Sequence, residues 1–169
     1  MVALLPRMRR FAYSLTGNLD QADDLVQETC MRALSNLDKW QEGTRLDSWM
    51  FRIAQNLWFD RLRAMQVRGE SIDVDSVHEL AGQDGREITE HKLTLAAVDA
   101  ALGKLAAEQR VLVGLVCVEG LSYKEAADVI GAPIGTVMSR LARARRALAE
   151  ALGETAVDLS QVEVGGRRG

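Results

Sequence analysis

Leu121-Ser-Tyr-Lys-Glu-Ala-Ala-Asp-Val-Ile-Gly-Ala-Pro-Ile-Gly-Thr-Val-Met-Ser-Arg-Leu-Ala-Arg-Ala-Arg-Arg-Ala-Leu148 reads as two helices meeting at a tight turn. Ser122 and Glu125 have the spacing of a capping box, in which each side chain satisfies the other residue's backbone N–H. Ala126, Ala127, Val129 and Ile130 continue the first helix, and Gly131-Ala-Pro133 stops it. A second, longer helix starts near Pro133 or Ile134, because proline is tolerated in a first turn. Short helix, glycine turn and longer helix is the pattern of a DNA-reading helix-turn-helix.

The second helix divides into two faces. At about 100° per residue, Val137, Leu141, Ala144 and Leu148 fall within an arc of about 60°, a compact buried stripe. Thr136, Ser139, Arg140, Arg143 and Arg146 fill the opposite arc, and Arg145 lies elsewhere. No acid occurs from residue 134 to 148. A merely solvated face usually mixes signs, and arginine suits both phosphates and guanine edges. Four arginines on phosphates would give a salt slope of about −3.6. That is modest for a protein acting alone, so a partner or a dimer is expected.

The rest of the composition agrees with a helical, globular chain. Of 169 residues, 47% are apolar, 27% charged and 5% aromatic, with two prolines, so the balance favours helix. No apolar run is long enough to span a membrane. The basic residues near the start follow a very short apolar run, an order unlike that of a signal peptide, so a cytoplasmic protein is expected. Net charge is −3, with +2 over residues 1–68, −6 over 69–91 and +1 over 92–169. The acid excess is therefore local, and binding follows local patches rather than the overall charge. Cys30 and Cys117 have no metal spacing and are expected to be small buried side chains without a disulfide. His78 and His91 are expected to be solvated. No metal or cofactor is expected.

Residues 69–91 read as a linker, poor in large apolar residues and rich in acids. The chain then divides into a helical module at 1–68, a second at 92–152 and a frayed tail at 153–169. In the first module a helix over 4–15 ends at Thr16-Gly-Asn, where Gly17 and Asn18 both suit a left-handed position. A second helix runs over 20–37, with Leu25, Cys30, Ala33, Leu34 and Leu37 able to supply its buried side. A third runs over 45–65. Its polar arc carries Arg52, Gln55, Asn56, Phe59 and Arg63, cations and amides interrupted by a ring. Single-stranded DNA needs such a face, although a core helix with an ordinary wet side has the same spacing. In the second module, helices over 92–105 and 107–118 precede the helix-turn-helix.

Asp23-Asp-Leu-Val-Gln-Glu-Thr-Cys-Met-Arg-Ala-Leu34, Leu46-Asp-Ser-Trp-Met-Phe-Arg-Ile-Ala-Gln-Asn56 and Asp60-Arg-Leu-Arg63 resemble region 2 of the extracytoplasmic-function (group 4) sigma factors of bacterial RNA polymerase. Leu105-Ala-Ala-Glu-Gln-Arg-Val-Leu112, Gly120-Leu-Ser-Tyr-Lys-Glu-Ala-Ala127 and Gly135-Thr-Val-Met-Ser-Arg-Leu-Ala-Arg-Ala-Arg145 resemble their region 4. The likeness covers about residues 4–150, and the opening residues look most like alphaproteobacterial members, which include general stress-response regulators. The Ala132-Pro133 turn departs from many members.

The resemblance implies an all-α fold of two small domains joined by a flexible acidic linker. It implies that Asp24, Leu25, Gln27, Glu28 and Arg32 meet the clamp helices of the polymerase β′ subunit. The loop from Lys39 and Trp40 to Thr44 would capture a flipped base of the −10 element, flanked by Arg52, Gln55, Asn56, Phe59 and Arg63. Thr136, Ser139, Arg140 and Arg143, with Arg146 on the same face, would read the −35 element. The implied partners are core RNA polymerase (β′ clamp helices and β flap), promoter DNA and an anti-sigma factor.

Magnitudes also call for a larger machine. Opening about ten base-pair steps costs roughly 14 kcal/mol of stacking, while one captured base returns about 1–3 kcal/mol. The linker could span roughly 75 Å extended, about two turns of DNA. Two other readings compete. A sigma mimic that titrates an anti-sigma factor would normally carry a receiver domain and a degraded DNA face, whereas Arg140, Arg143 and Arg146 remain. A dimeric repressor leaves the motifs at 23–34 and 49–63 unexplained. An enzyme has least support, since no phosphate-binding glycine loop, metal cluster or nucleophile–base pair is legible.

Overall fold

The structure, a computed structural model, describes residues 1–69 and 90–153. Most of the proposed linker, most of the proposed tail, and the side chains of His78 and His91 lie outside the described residues. The described residues form helices and turns with no strand, as an all-α chain requires.

In the first module α1 spans Leu5–Thr16, α2 Leu19–Ser35 and α3 Leu46–Val67. Gly17 takes the left-handed position at φ 67° and closes α1. Asn18 does not share that role. It is extended and caps α2, its side-chain oxygen accepting from the Gln21 N–H at 3.0 Å. Two adjacent residues suited to one turn thus divide the work, because an N-cap needs an acceptor that glycine lacks. Phe11 meets Phe51 edge to face at 5.0 Å, locking α1 against α3.

The buried side of α2 differs from the expected one. Ala22, Leu25, Thr29 and Ala33 face inward at helical spacing, and the Thr29 hydroxyl is satisfied by the Leu25 carbonyl at 2.7 Å. Leu34 and Leu37 point outward, 60% and 48% exposed, beside Met31 at 61%.

In the second module α4 spans Glu90–Gly103, α5 Ala107–Val113, α6 Tyr123–Ile130 and α7 Ile134–Leu152. The helix expected over 107–118 changes character at Gly114, where a single π turn, Gly114–Val118, follows α5. The extra residue keeps Leu115 and Val116 buried and turns Cys117 outward. Cys117 is therefore exposed, and Cys30 only half-buried, rather than both being buried. The capping box at Ser122 and Glu125 is formed, and Gly131 closes α6 at φ 68°. Pro133 is the N-cap of α7 and accepts at its carbonyl from the Thr136 and Val137 N–H groups. Val137, Leu141, Ala144 and Leu148 are all buried, the stripe read from the sequence.

The two modules share one continuous apolar core. Gly114 packs so closely on α1 that a Cβ there would lie 2.6 Å from the Ser14 Oγ and 3.0 Å from the Phe11 ring. Arg110 donates across the junction to the Ser14 carbonyl at 2.7 Å, and Tyr13 donates to Asp99 at 2.7 Å. Burial, then the Asp99 bond and its charge, push the Tyr13 hydroxyl up to about 12. Glu119, its side chain fully buried, accepts from Arg7 at 3.1 Å and from Arg10 at 3.2 and 3.4 Å.

Candidate nucleic-acid interface

On α7, Ser139, Arg143 and Arg146 are exposed, and Thr136 and Arg140 are half-buried. Arg140, Arg143 and Arg146 pair with no carboxylate among the described residues. Arg145 lies elsewhere, near Tyr123 and Cys117, whose charges favour its protonated form. Three guanidinium groups without a carboxylate partner form a cationic stripe about two turns long on one helix.

In the first module the residues grouped on α3 share a face but differ in availability. Asn56 is exposed, and Phe59 is half-buried with its ring 5.5 Å from that of Trp58. Arg63 pairs with Asp60 one turn away. Arg52 donates to the carbonyls of Val129 (3.1 Å) and Asp128, and Gln55 donates to Val129 at 3.1 Å. Gln55, only 5% exposed, is thus buried by the second module.

Beside them lies a cleft of about 570 Å³. Lys39, Trp40, Gln41 and Thr44 form one wall, and Arg52, Glu125 and Asp128 close the other. Lys39 is braced by Asn36 at 2.7 Å. The Trp40 indole nitrogen and the Gln55 side-chain oxygen are buried without partners among the described residues. Orphaned donors and acceptors of this kind are uncommon and mark a place where a polar ligand would be accommodated.

An acidic anchor holds the loop's end. Burial alone would raise the Asp47 carboxyl, but hydrogen bonds from Arg45 (2.6 and 3.0 Å), Arg7 (2.9 Å) and the Ser48 N–H outweigh it and bring it down to about 2. Arg45 also reaches Glu125 at 2.5 Å.

On α2, Asp24, Gln27 and Arg32 are exposed, and Glu28 accepts from Arg61 at 2.7 Å. Leu25 does not belong to this surface, being fully buried in the core. Met31 and Leu34 stand on it instead. The sequence signal for this lay in the 22, 25, 29, 33 spacing, which leaves 31 and 34 off the buried stripe.

The sequence profile of Sigma-70 region 2 matches residues 1–68, and that of Sigma-70 region 4 matches residues 95–148. The ECF RNA polymerase sigma factor EcfG of Rhodopseudomonas palustris is 42% identical over 152 residues, covering 90% of this chain and 82% of the relative. The chain belongs to the extracytoplasmic-function sigma factors. This sigma factor is also 36% identical to SigE of Mycolicibacterium smegmatis over 92% of its own length and 61% of that relative. Its fold resembles that of the sigma factor RpoE of Bartonella quintana, solved in complex with the anti-sigma factor NepR, with a TM-score of 0.71 and 34% identity over 92% and 95% of the two chains. These likenesses make it a sigma factor of the alphaproteobacterial type. No helix among its described residues is long and apolar enough to cross a membrane.

Proposed function

We propose that this sigma factor joins core RNA polymerase in the cytoplasm, brings it to promoters with −35 and −10 elements and helps open the duplex, acting as a non-enzymatic specificity subunit. The observation that carries this reading is the acid-free arginine face of α7, exposed at one end of a chain whose other end matches region 2. Residues 1–68 would act on the polymerase and the −10 element, 92–152 on the −35 element, and 69–91 would join them.

Thr136, Ser139, Arg140, Arg143 and Arg146 are assigned to the −35 element. Lys39, Trp40, Arg52, Gln55, Asn56, Phe59 and Arg63 are assigned to the −10 strand, with the cleft beside Trp40 taking an unstacked base. Asp24, Gln27, Glu28 and Arg32, joined by the exposed Met31 and Leu34, would meet the β′ clamp helices, and Leu25 supports that face from beneath. An anti-sigma factor would control the chain, as NepR partners the Bartonella protein. The test is retardation of a promoter fragment with and without core polymerase. Retardation only with core is expected, and tight binding by the isolated chain would contradict the reading.

A further inference from the structure

The loop that lines the cleft ends without an ordinary helix cap. Gly43 turns it at φ 92°, and the Gln41 carbonyl accepts both the Thr44 N–H at 3.1 Å and the Thr44 hydroxyl at 2.6 Å. The next residue, Arg45, is the N-cap of α3, and its side chain offers no acceptor to the first turn. A serine, threonine, asparagine or aspartate in that place would fix where the loop stops and the helix starts. Here that role falls to Asp47 in the first turn of α3, whose side chain is only 10% exposed.

Every acceptor position of the Asp47 carboxylate is taken. Its Oδ1 accepts from the Arg45 Nε at 3.0 Å and from the Ser48 N–H at 2.8 Å. Its Oδ2 accepts from the Arg45 Nη2 at 2.6 Å and from the Arg7 Nη1 at 2.9 Å. A carboxylate has about four such positions, and a two-pronged arginine pair fixes an angle as well as a distance. Arg7 stands on α1, its guanidinium 5.4 Å from the centre of the buried Phe51 ring, so the end of the loop is tied to the core. Asp47, Arg45 and Arg7 all belong to the first module, and the tie therefore stays with the loop wherever the second module sits. Arg45 and Ser48 line the cleft beside Trp40, whereas Asp47 and Arg7 do not.

We infer that Asp47 is a positioning residue for base capture: by clamping Arg45 and Ser48 it sets one wall of the cleft beside Trp40, and so sets how sharply one −10 base is preferred over the other three. The inference rests on the assignment of that cleft to an unstacked base. A wall displaced by about 1 Å loses the fit on which discrimination depends, although Asp47 itself touches no nucleotide.

The test uses the complex of the full chain with core polymerase. Its template is a forked copy of a promoter that the complex transcribes, duplex upstream and single-stranded across a randomised −10 stretch. Sequencing the bound fraction gives the base preference at every −10 position, and a ratio between bases does not depend on how much of a variant is folded. One mismatched base costs about fivefold to about 150-fold in binding. Trp40→Ala should flatten the preference at the position of the captured base. Asp47→Asn keeps the shape of the side chain but turns an amide donor on the arginines. It should cut the preference at that same position to about a third or less, while the other positions keep theirs. Arg7→Gln removes one of the four donors from outside the cleft and should lower the same preference more mildly.

An unchanged preference for Asp47→Asn at the position that Trp40→Ala flattens would overturn the inference and leave the cleft assignment standing. So would an equal loss at every position, the mark of a general weakening of the fold. If Trp40→Ala alters no position, the cleft assignment itself fails and the inference falls with it. If Asp47→Asn does not fold, Arg7→Gln decides by the same criteria.

Discussion

Ser122 donates no apolar surface, yet its hydroxyl accepts the Glu125 N–H at 3.1 Å and fixes where α6 begins. Ser122→Ala should cost about 1 kcal/mol, read as a lower Tm with unchanged helix content in the folded chain. Arg143, exposed and unpaired, has the opposite profile. Arg143→Ala should leave Tm within the range of ordinary surface changes and reduce the salt slope of promoter binding by the polymerase complex by about one. An unchanged slope would remove Arg143 from the phosphate contacts. Residues whose role is set by near neighbours, such as Ser122, Gly131 and the α7 stripe, were legible in the sequence because spacing along one helix decides them. Glu119 and Gly114 were not. One reads as an ordinary helix-end acid and the other as a weak spot in a helix. Their meaning comes from Arg7, Arg10, Ser14 and Phe11, about a hundred positions away.

Among elements, α2 separates stability from recognition most clearly. Its inner stripe of Ala22, Leu25, Thr29 and Ala33 is fixed by the core, and its outer stripe is free to meet a partner. Leu25→Ala should destabilise the first module by roughly 2–5 kcal/mol, measured by denaturant unfolding. Met31→Ala and Leu34→Ala, on the outer stripe, should change stability by less than about 0.5 kcal/mol and weaken capture of core polymerase. The reverse pattern would remove the outer stripe from the polymerase contact. Leucine-rich α2 offered more apolar positions than one stripe can bury, so composition alone assigned Leu34 and Leu37 inward. Thr29 betrays the true register, since its hydroxyl can be satisfied by the Leu25 carbonyl within the helix. The π turn at Gly114–Val118 was not legible either, because it answers to the approach of α1 rather than to local propensity.

At the scale of the molecule, two modules that the sequence separates by an acidic segment lie packed together through a network of charges. Asp47 is held down to about 2, below the ordinary value of 3.8, by Arg45 and Arg7 against the opposing effect of burial. A carboxyl depressed by folding contributes stability that is fully present above its unfolded value and is lost as pH falls through the folded one. Asp47 should therefore contribute about 1–2 kcal/mol at neutral pH, and that contribution should fade between about pH 4 and about pH 2. Asp47→Asn should flatten the unfolding profile over that interval, and an unaltered profile would deny the carboxylate its role. The presence of two helical modules was legible from periodicity and from the charge run between them. Their closed arrangement was not, since it depends on backbone carbonyls of α6 that no side-chain pattern reports.

The central claim is that these modules together direct polymerase to promoters. The most direct measurement is run-off transcription reconstituted from purified core polymerase, this chain and genomic promoter fragments. Discrete transcripts should appear only when the chain is present, start at fixed positions, and disappear for Arg140→Ala with Arg143→Ala or for Arg52→Ala with Gln55→Ala. Transcripts that are identical without the chain, or no transcript from any fragment although the chain binds core polymerase, would contradict it.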